Sequence, residues 1–361
     1  MISSLKPEKG IIKILISSPS GFGSEYVDEN TGLIVTQAWN QNNEISKRRT
    51  GGPAFRTAYI IAFRSLPDMQ DYTPVGELIC SCLSVLFGKR FDCHGIVEGV
   101  GEFYVPNLST YYQLLFPDYP QNSIYPRNSL RIPLDLSEIH RIDGLFNRKN
   151  DRFFLTFTAA AKFYWNALKS FEDDPEIAYL HLITVGEILS NYYESRRDNL
   201  LDENTIKYFA EIENKLENGK KIVKYLKGKL FQAKKGFTKT ICNLINNEFF
   251  LTTDGIQDVP WLRFKPDDFE KRIGAAYDLR SRYVHSGSQF GKIISNPVSD
   301  LIMGIINTGD DKLDKIINIS PSYFGLERVI RYCLLQFAQN NGVDIDSRLT
   351  GKSYLSTQIK Q

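Results

Sequence analysis

The hydrophobic pattern of this chain changes period near residue 150, and a fold that satisfies both periods must combine a sheet with a helical layer. Up to about residue 147, short apolar stretches such as "GIIKILI", "GLIVTQAW" and "TAYIIAFRS" are separated by clusters of Gly, Pro, Asn and Asp. That texture predicts strands joined by turns. One helix interrupts them in "PVGELICSCLSVLFGKR", where Val75, Leu78, Ile79, Cys82 and Leu86 recur at helical spacing.

From about residue 150 the segments lengthen and apolar residues fall every three or four positions, beginning with "DRFFLTFTAAAKFYWNALKSF". A second helix is expected after Pro175, with Ile177, Leu180, Thr184 and Ile188 on one face. Others are expected near 204–232, 237–249, 267–286, 297–306 and 322–340, the last stopped by Gly342. The 361 residues suffice for two cores. The expectation is therefore an α+β two-domain protein: a mostly β mixed domain over residues 1–147, an all-α bundle over 150–342 and a polar tail over 343–361.

Composition narrows the function classes. With 42% hydrophobic and 24% charged residues the chain reads as an ordinary globular protein. No apolar run approaches the roughly 20 residues that span a bilayer, and the start lacks a signal-peptide pattern, so the expected location is cytoplasmic, without a membrane partner. Five cysteines, odd in number and scattered, suit a reducing compartment without disulfides. A net charge of +2 means that a nucleic acid would have to be held by a local basic patch.

One pair of residues carries chemistry. In "YDLRSRYVHSGS", Arg280 is followed five positions later by His285. The segment "PDDFEKRIGAAYDLRSRYVHSG" is expected to form a helix with Asp267 as N-cap, Glu270 completing a capping box and Ser286-Gly287 as the stop. At about 100° per residue, Ile273, Ala276, Tyr277 and Val284 form one apolar stripe, and Arg280 projects from its middle while Arg282 points the opposite way. A guanidinium on a core-facing stripe is costly unless paired, so an acidic residue or a substrate anion must meet it. Glu187, at the border of the apolar face in "AYLHLITVGEILSNYY", is the candidate partner. Two readings stand. Arg280 and Glu187 form a structural ion pair while His285 merely sits at a helix end that favours cations, or the pair grips a phosphate. Residues five apart lie about 140° around an ideal helix. Convergence on one phosphate would need the reach of Arg, a loosened last turn, or a second subunit, and the last option points to a homodimer.

The segment "YDLRSRYVHSG", preceded by the acid-bearing "LHLITVGEIL", resembles the HEPN superfamily, and more narrowly the ApeA-like HEPN domains of bacterial defence proteins. The likeness covers roughly residues 150–340, and "LFGKRFDCHGIVEGVGEFYVP" resembles the domain often placed ahead of such a module. The resemblance implies a dimerising helical bundle and a metal-independent ribonuclease with an R-x(4–6)-H motif and no cofactor. Arg280 and His285 match the motif, Ser281 takes its polar position, and Glu187 matches loosely. It further implies a toxin or antiphage effector, dimerised through the helical domain, that cuts RNA by 2′-OH attack. The alternative implied by the same superfamily is a non-catalytic module binding a partner or nucleotide. His285 would exchange the proton and Arg280 would neutralise the scissile phosphate. The N-terminal domain would sense an unknown trigger.

Other features admit two readings each. The stretch from Lys215 to Lys239 is lysine-rich with Glu217 its one acid, so Lys220, Lys221, Lys224, Lys234 and Lys235 form either an RNA-steering surface or a solvated face. Cys80, Cys82, Cys93 and His94 do not build a familiar zinc spacing and read as core residues, and no metal site is expected. His94 and His140 have no identifiable partner in the sequence, and His181 flanks its helix's apolar stripe. Trp39, Tyr59, Phe63, Phe91 and Tyr104 serve a recognition surface or the core.

Overall fold

The apolar run Ile11–Ser18 is the central strand β1 of a six-stranded antiparallel sheet. The computed structural model describes residues 10–20, 25–29, 32–38, 56–65, 69, 71–113, 115, 119–122, 136–141, 151–193, 203–229, 233–251, 253, 260–295, 300–302, 304 and 306–345. Strands β2 (Tyr26–Val27), β3 (Ile34–Gln37) and β4 (Thr57–Arg64) lie on one side of β1. On its other side lie β5 (Asp92–Gly99) and β6 (Glu102–Phe103), giving the order β2-β3-β4-β1-β5-β6. Ile14 pairs with Ile61 on β4 and Ile96 on β5, and the register of β1 against β5 slips at two irregularities. Trp39 lies outside the described residues, Tyr59 and Phe91 are buried, Phe63 is half-buried, and Tyr104 is exposed.

Helix α1 (Thr73–Phe87) packs on the sheet. It is buried without interruption from Ile79 to Phe87, which an amphipathic surface helix cannot be. The reason is that its far side meets α2 (Arg152–Ser170), the first helix of the C-terminal part. One continuous buried cluster runs from Ile14 and Ile61 of the sheet through α1 to Phe157, Trp165 and Leu334. The expected β-rich and helical halves are thus both present, sharing a core.

The helical part continues with α3 (Pro175–Tyr192), α4 (Glu203–Lys215), α5 (Gly219–Lys229), α6 (Ala233–Leu244), α7 (Pro266–Ser286), the short α8 (Gly291–Ile294), α9 (Asp311–Ile319) and α10 (Tyr323–Asn340). The helix expected over 204–232 is two helices, broken before Gly219. A Cβ there would sit 2.2 Å from the Ile212 carbonyl oxygen, so the chain folds back only because position 219 has none. No helix forms at the described residues of 297–306. Leu301 instead makes a β-bridge to Pro321, and the buried Asp300 carboxylate takes Arg328 at 2.9 Å. Helix α9, which the pattern did not signal, starts from Asp310, whose side chain accepts from the backbone of Lys312 and Leu313. Val343 and Ile345, assigned above to the polar tail, are buried. Among the described residues no helix is long and apolar enough to cross a membrane.

Helix α10 is buried at every residue from Tyr323 to Leu335 and carries Glu327, Arg328 and Arg331 through the interior. Glu327 accepts from the Tyr164 hydroxyl on α2. Arg331 donates to the carbonyls of Val85 at 2.8 Å and Leu86 at 2.7 Å, which belong to the last turn of α1 and have no intrahelical partner. Arg331→Ala is expected to cost about 3 kcal/mol, because it strands two buried carbonyls. Equilibrium urea unfolding would measure it, and a change below about 0.5 kcal/mol, the range of ordinary surface substitutions, would show that Arg331 is dispensable.

Candidate functional site

Helix α7 starts two residues earlier than its polar residues suggest. Lys265 is the N-cap and Pro266 occupies the first turn, where its missing N–H costs nothing. Asp267 is therefore not the N-cap and the capping box with Glu270 does not form; Asp267 and Asp268 instead lie in the first turn, where the helix dipole favours them. Gly287 ends the helix in the left-handed region at φ 65°, its N–H bonded to the Tyr283 carbonyl.

The buried face of α7 comprises Phe269, Ile273, Ala276, Tyr277 and Leu279. Val284, expected on this stripe, is 52% exposed and Leu279 is the last buried apolar residue of α7, so the face ends just before Arg280, which stands at its edge, not in its middle. The Arg280 guanidinium reaches Glu187 on α3, Nη2 to Oε2 at 3.4 Å, with side-chain exposures of 27% and 24%. The sequence reading of this pair holds in the structure. The other Glu187 oxygen accepts from the Tyr277 hydroxyl at 2.9 Å, and the guanidinium carbon lies 5.6 Å from the Tyr277 ring centroid. Tyr277 was read only as a core residue. Its place three positions before Arg280 was the available signal, since residues three apart share a helix face.

Burial, and then the hydrogen bond to Glu187, push the Tyr277 hydroxyl up to about 12. The group therefore stays a donor, and Glu187 is held by two donors on α7. Its height is set by Gly186, where a Cβ would lie 2.2 Å from the Phe237 ring of α6. Phe237 also packs against Tyr277, ring centroids 5.4 Å apart.

His285 is exposed in the last turn of α7, and among the described residues no hydrogen bond reaches its ring. The helix stays α-helical through Ser286, so the last turn is not loosened. Arg280 faces α3, while His285 lies about 140° around the axis and about 7.5 Å along it. Half-buried Ser281 lies between those directions. One chain thus brings together Glu187, Tyr277 and Arg280 but leaves His285 apart.

The lysines divide into two groups. Lys220, Lys221 and Lys224 are exposed on α5, and Lys234 and Lys235 are exposed in the first turn of α6. Lys234 is bonded to Asp278 of α7 at 2.6 Å, an acid that the lysine-rich stretch itself does not contain. Lys234, Lys235, Thr238, Glu270, Lys271 and Asp278 line an open groove of about 550 Å³ beside α7.

The remaining histidines lie away from this site. His94, which lacked a partner in the sequence reading, donates from Nδ1 to the Asn107 carbonyl at 3.0 Å and so accepts at Nε2 from the Ser17 hydroxyl at 2.7 Å. Burial holds its pKa below the ordinary histidine value. His140 Nδ1 meets the Ser137 carbonyl, and His181 packs 5.6 Å from the Phe163 ring. Compared with known proteins, the chain matches no family model, no curated protein and no solved structure.

The raised Tyr277 hydroxyl has a pH consequence. In the unfolded chain it would ionise near the ordinary value of 10.0 and in the folded chain near 12, so its contribution to stability is full below pH 10 and is lost as pH rises towards 12. Urea unfolding across that interval should show a shallower loss for Tyr277→Phe than for the wild type. Identical pH slopes would mean that Tyr277 does not keep its proton for Glu187.

Proposed function

We propose that this chain is a metal-independent endoribonuclease of the HEPN type, acting in the cytoplasm as a toxin or antiphage effector. Support comes chiefly from one observation: a part-exposed Arg280 guanidinium held at the edge of a buried helical face by Glu187, which Tyr277 in turn orients. A cation so placed is fixed on one side and open to an anion on the other. Arg280 would neutralise a scissile phosphate. A 2′-OH would attack its phosphorus as the 5′-oxygen leaves, with His285 exchanging the proton and Ser281 flanking the phosphate. The products are a 2′,3′-cyclic phosphate and a 5′-OH.

The separation of Arg280 and His285 on α7 favours a site shared by two chains dimerised through their helical parts. Lys234 and Lys235 support an RNA partner differently. Both stand in the first turn of α6, against the helix dipole; Lys234 is paired with Asp278, so the positive potential there falls to Lys235. The N-terminal sheet would carry the response to a trigger. The alternative is a non-catalytic HEPN module that binds a partner or nucleotide, which would keep the same Arg280–Glu187 bond.

Arg280→Ala and His285→Ala are each expected to lower cleavage of total RNA in EDTA by at least about 100-fold, with circular dichroism unchanged. Mixing the two variants should restore part of the activity, because a heterodimer regains one complete site. Full activity in either folded variant would overturn the assignment, and failure of the mixture would overturn the shared site.

Reversing Lys220, Lys221, Lys224 and Lys235 to Glu should weaken RNA binding at low salt and flatten its salt dependence by roughly 0.7 of a log unit per lost phosphate contact. Lys234 is left in place because a Glu there would face Asp278. An unchanged slope in a filter-binding titration would mark these lysines as a solvated face.

A further inference from the structure

The other chemically active arrangement is in the N-terminal half, where α1 crosses β5. Of the five free cysteines, Cys80, Cys82 and Cys333 are buried, while Cys93 and Cys242 are half-buried. Burial pushes the thiols of Cys82 and Cys242 up to about 12 and that of Cys333 well above the ordinary cysteine value. These are inert core thiols. Cys82 lies about 200° around α1 from Cys80 and so cannot face the same neighbour.

Cys80 and Cys93 differ because they meet. Gly76 is one helical turn before Cys80, and a Cβ at Gly76 would lie only 2.7 Å from the Cys93 sulfur. The Cys93 side chain therefore occupies the notch that the missing side chain leaves on α1. Helical side chains lean towards the N-terminus of their helix, so the Cys80 sulfur leans into the same notch. Helix geometry thus turns both sulfurs towards the one notch. Cys80 is fully enclosed, whereas Cys93 retains access to solvent.

We propose that Cys93 and Cys80 form a hydroperoxide-reactive dithiol site, with Cys93 as the attacking sulfur and Cys80 as the resolving one. The inference is independent of the ribonuclease reading. Two properties suit Cys93 to attack. The hydrogen bond from Cys80, aided by the Gly95 backbone N–H, holds its thiol below the ordinary cysteine value despite part burial and the nearby Glu77. Cys80, by contrast, is pushed well above that value by burial, then by its bond to Cys93, and so keeps its proton until the second step.

The chemistry balances. The Cys93 thiolate attacks one oxygen of a hydroperoxide; an S–O bond forms, the O–O bond breaks, and the departing alkoxide or hydroxide takes a proton. Cys93 is then a sulfenic acid. The Cys80 sulfur attacks the Cys93 sulfur, an S–S bond forms, the S–O bond breaks, and hydroxide leaves with the Cys80 proton as water. Two thiols are oxidised by two electrons and one hydroperoxide is reduced. The product staples β5 to α1, the helix whose last carbonyls Arg331 holds.

The test treats the full-length protein with stoichiometric hydrogen peroxide, blocks remaining thiols with an alkylating agent and maps the peptides by mass spectrometry. The expected result is a loss of about 2 Da with a single Cys80–Cys93 cross-link that dithiothreitol reverses. The link should persist in Cys82→Ser and vanish in Cys93→Ser, and Cys80→Ser should leave a Cys93 sulfenic acid that dimedone traps. The wild-type peptide map decides even if a variant does not fold. Five unmodified thiols, a link through Cys82, or passage of Cys93 directly to sulfinic acid would each overturn the proposal.

Discussion

The Arg331 guanidinium lies at the joint between sheet and bundle. A helix end leaves carbonyls without partners, and α1 ends inside the protein, where water does not reach them. Arg331 donates to two of these, Val85 and Leu86, from the buried stretch of α10. The cation is stabilised by the negative end of the α1 dipole, and the carbonyls are stabilised by the cation. Arg328 and Glu327, one turn earlier on α10, are also partnered, by Asp300 and Tyr164. Charges that would ordinarily forbid a central helix are thereby the means by which that helix engages three other parts of the chain.

The candidate site inherits its order from this core. Helix α3 packs on α2, α6 and α10, and it carries Glu187 to the edge of α7. Along α7 the buried face stops at Leu279, so Arg280 is anchored at its edge by Glu187 and His285 is exposed. Because α7 keeps its helical geometry up to the Gly287 cap, the two motif residues face different directions.

The long helices were legible because their apolar residues repeat at helical spacing over many turns, as in α2, α3, α7 and α10. What the pattern missed depends on contacts distant in sequence. The stretch 297–306 is apolar enough for a helix, yet Asp300 bonds Arg328 of α10 and Leu301 bridges to Pro321. The break before Gly219 needs knowledge of where Ile212 will be. At the site, Glu187 was legible since a cation beside a core-facing stripe requires an acid. The Tyr277 hydroxyl was not, because tyrosine supplies an apolar body and a polar tip together, and sequence periodicity registers only the body. Asp278, which neutralises Lys234, lies outside the lysine-rich segment and so escaped a count of local charge. Ser17, the partner of His94, was hidden in the same way, on a strand far away in the chain.

Gly186 shows what such packing means for substitution at the site. With the Phe237 ring occupying the place of its absent side chain, the separation of α3 and α6 is set by contact between a ring and a backbone, with no adjustable side chain between them. The adjacent Glu187 takes its position from that contact. While position 237 holds a phenyl ring, any side chain at position 186 would push α6 away from α3 and move the carboxylate over Tyr277, so a change at one position requires a change at the other.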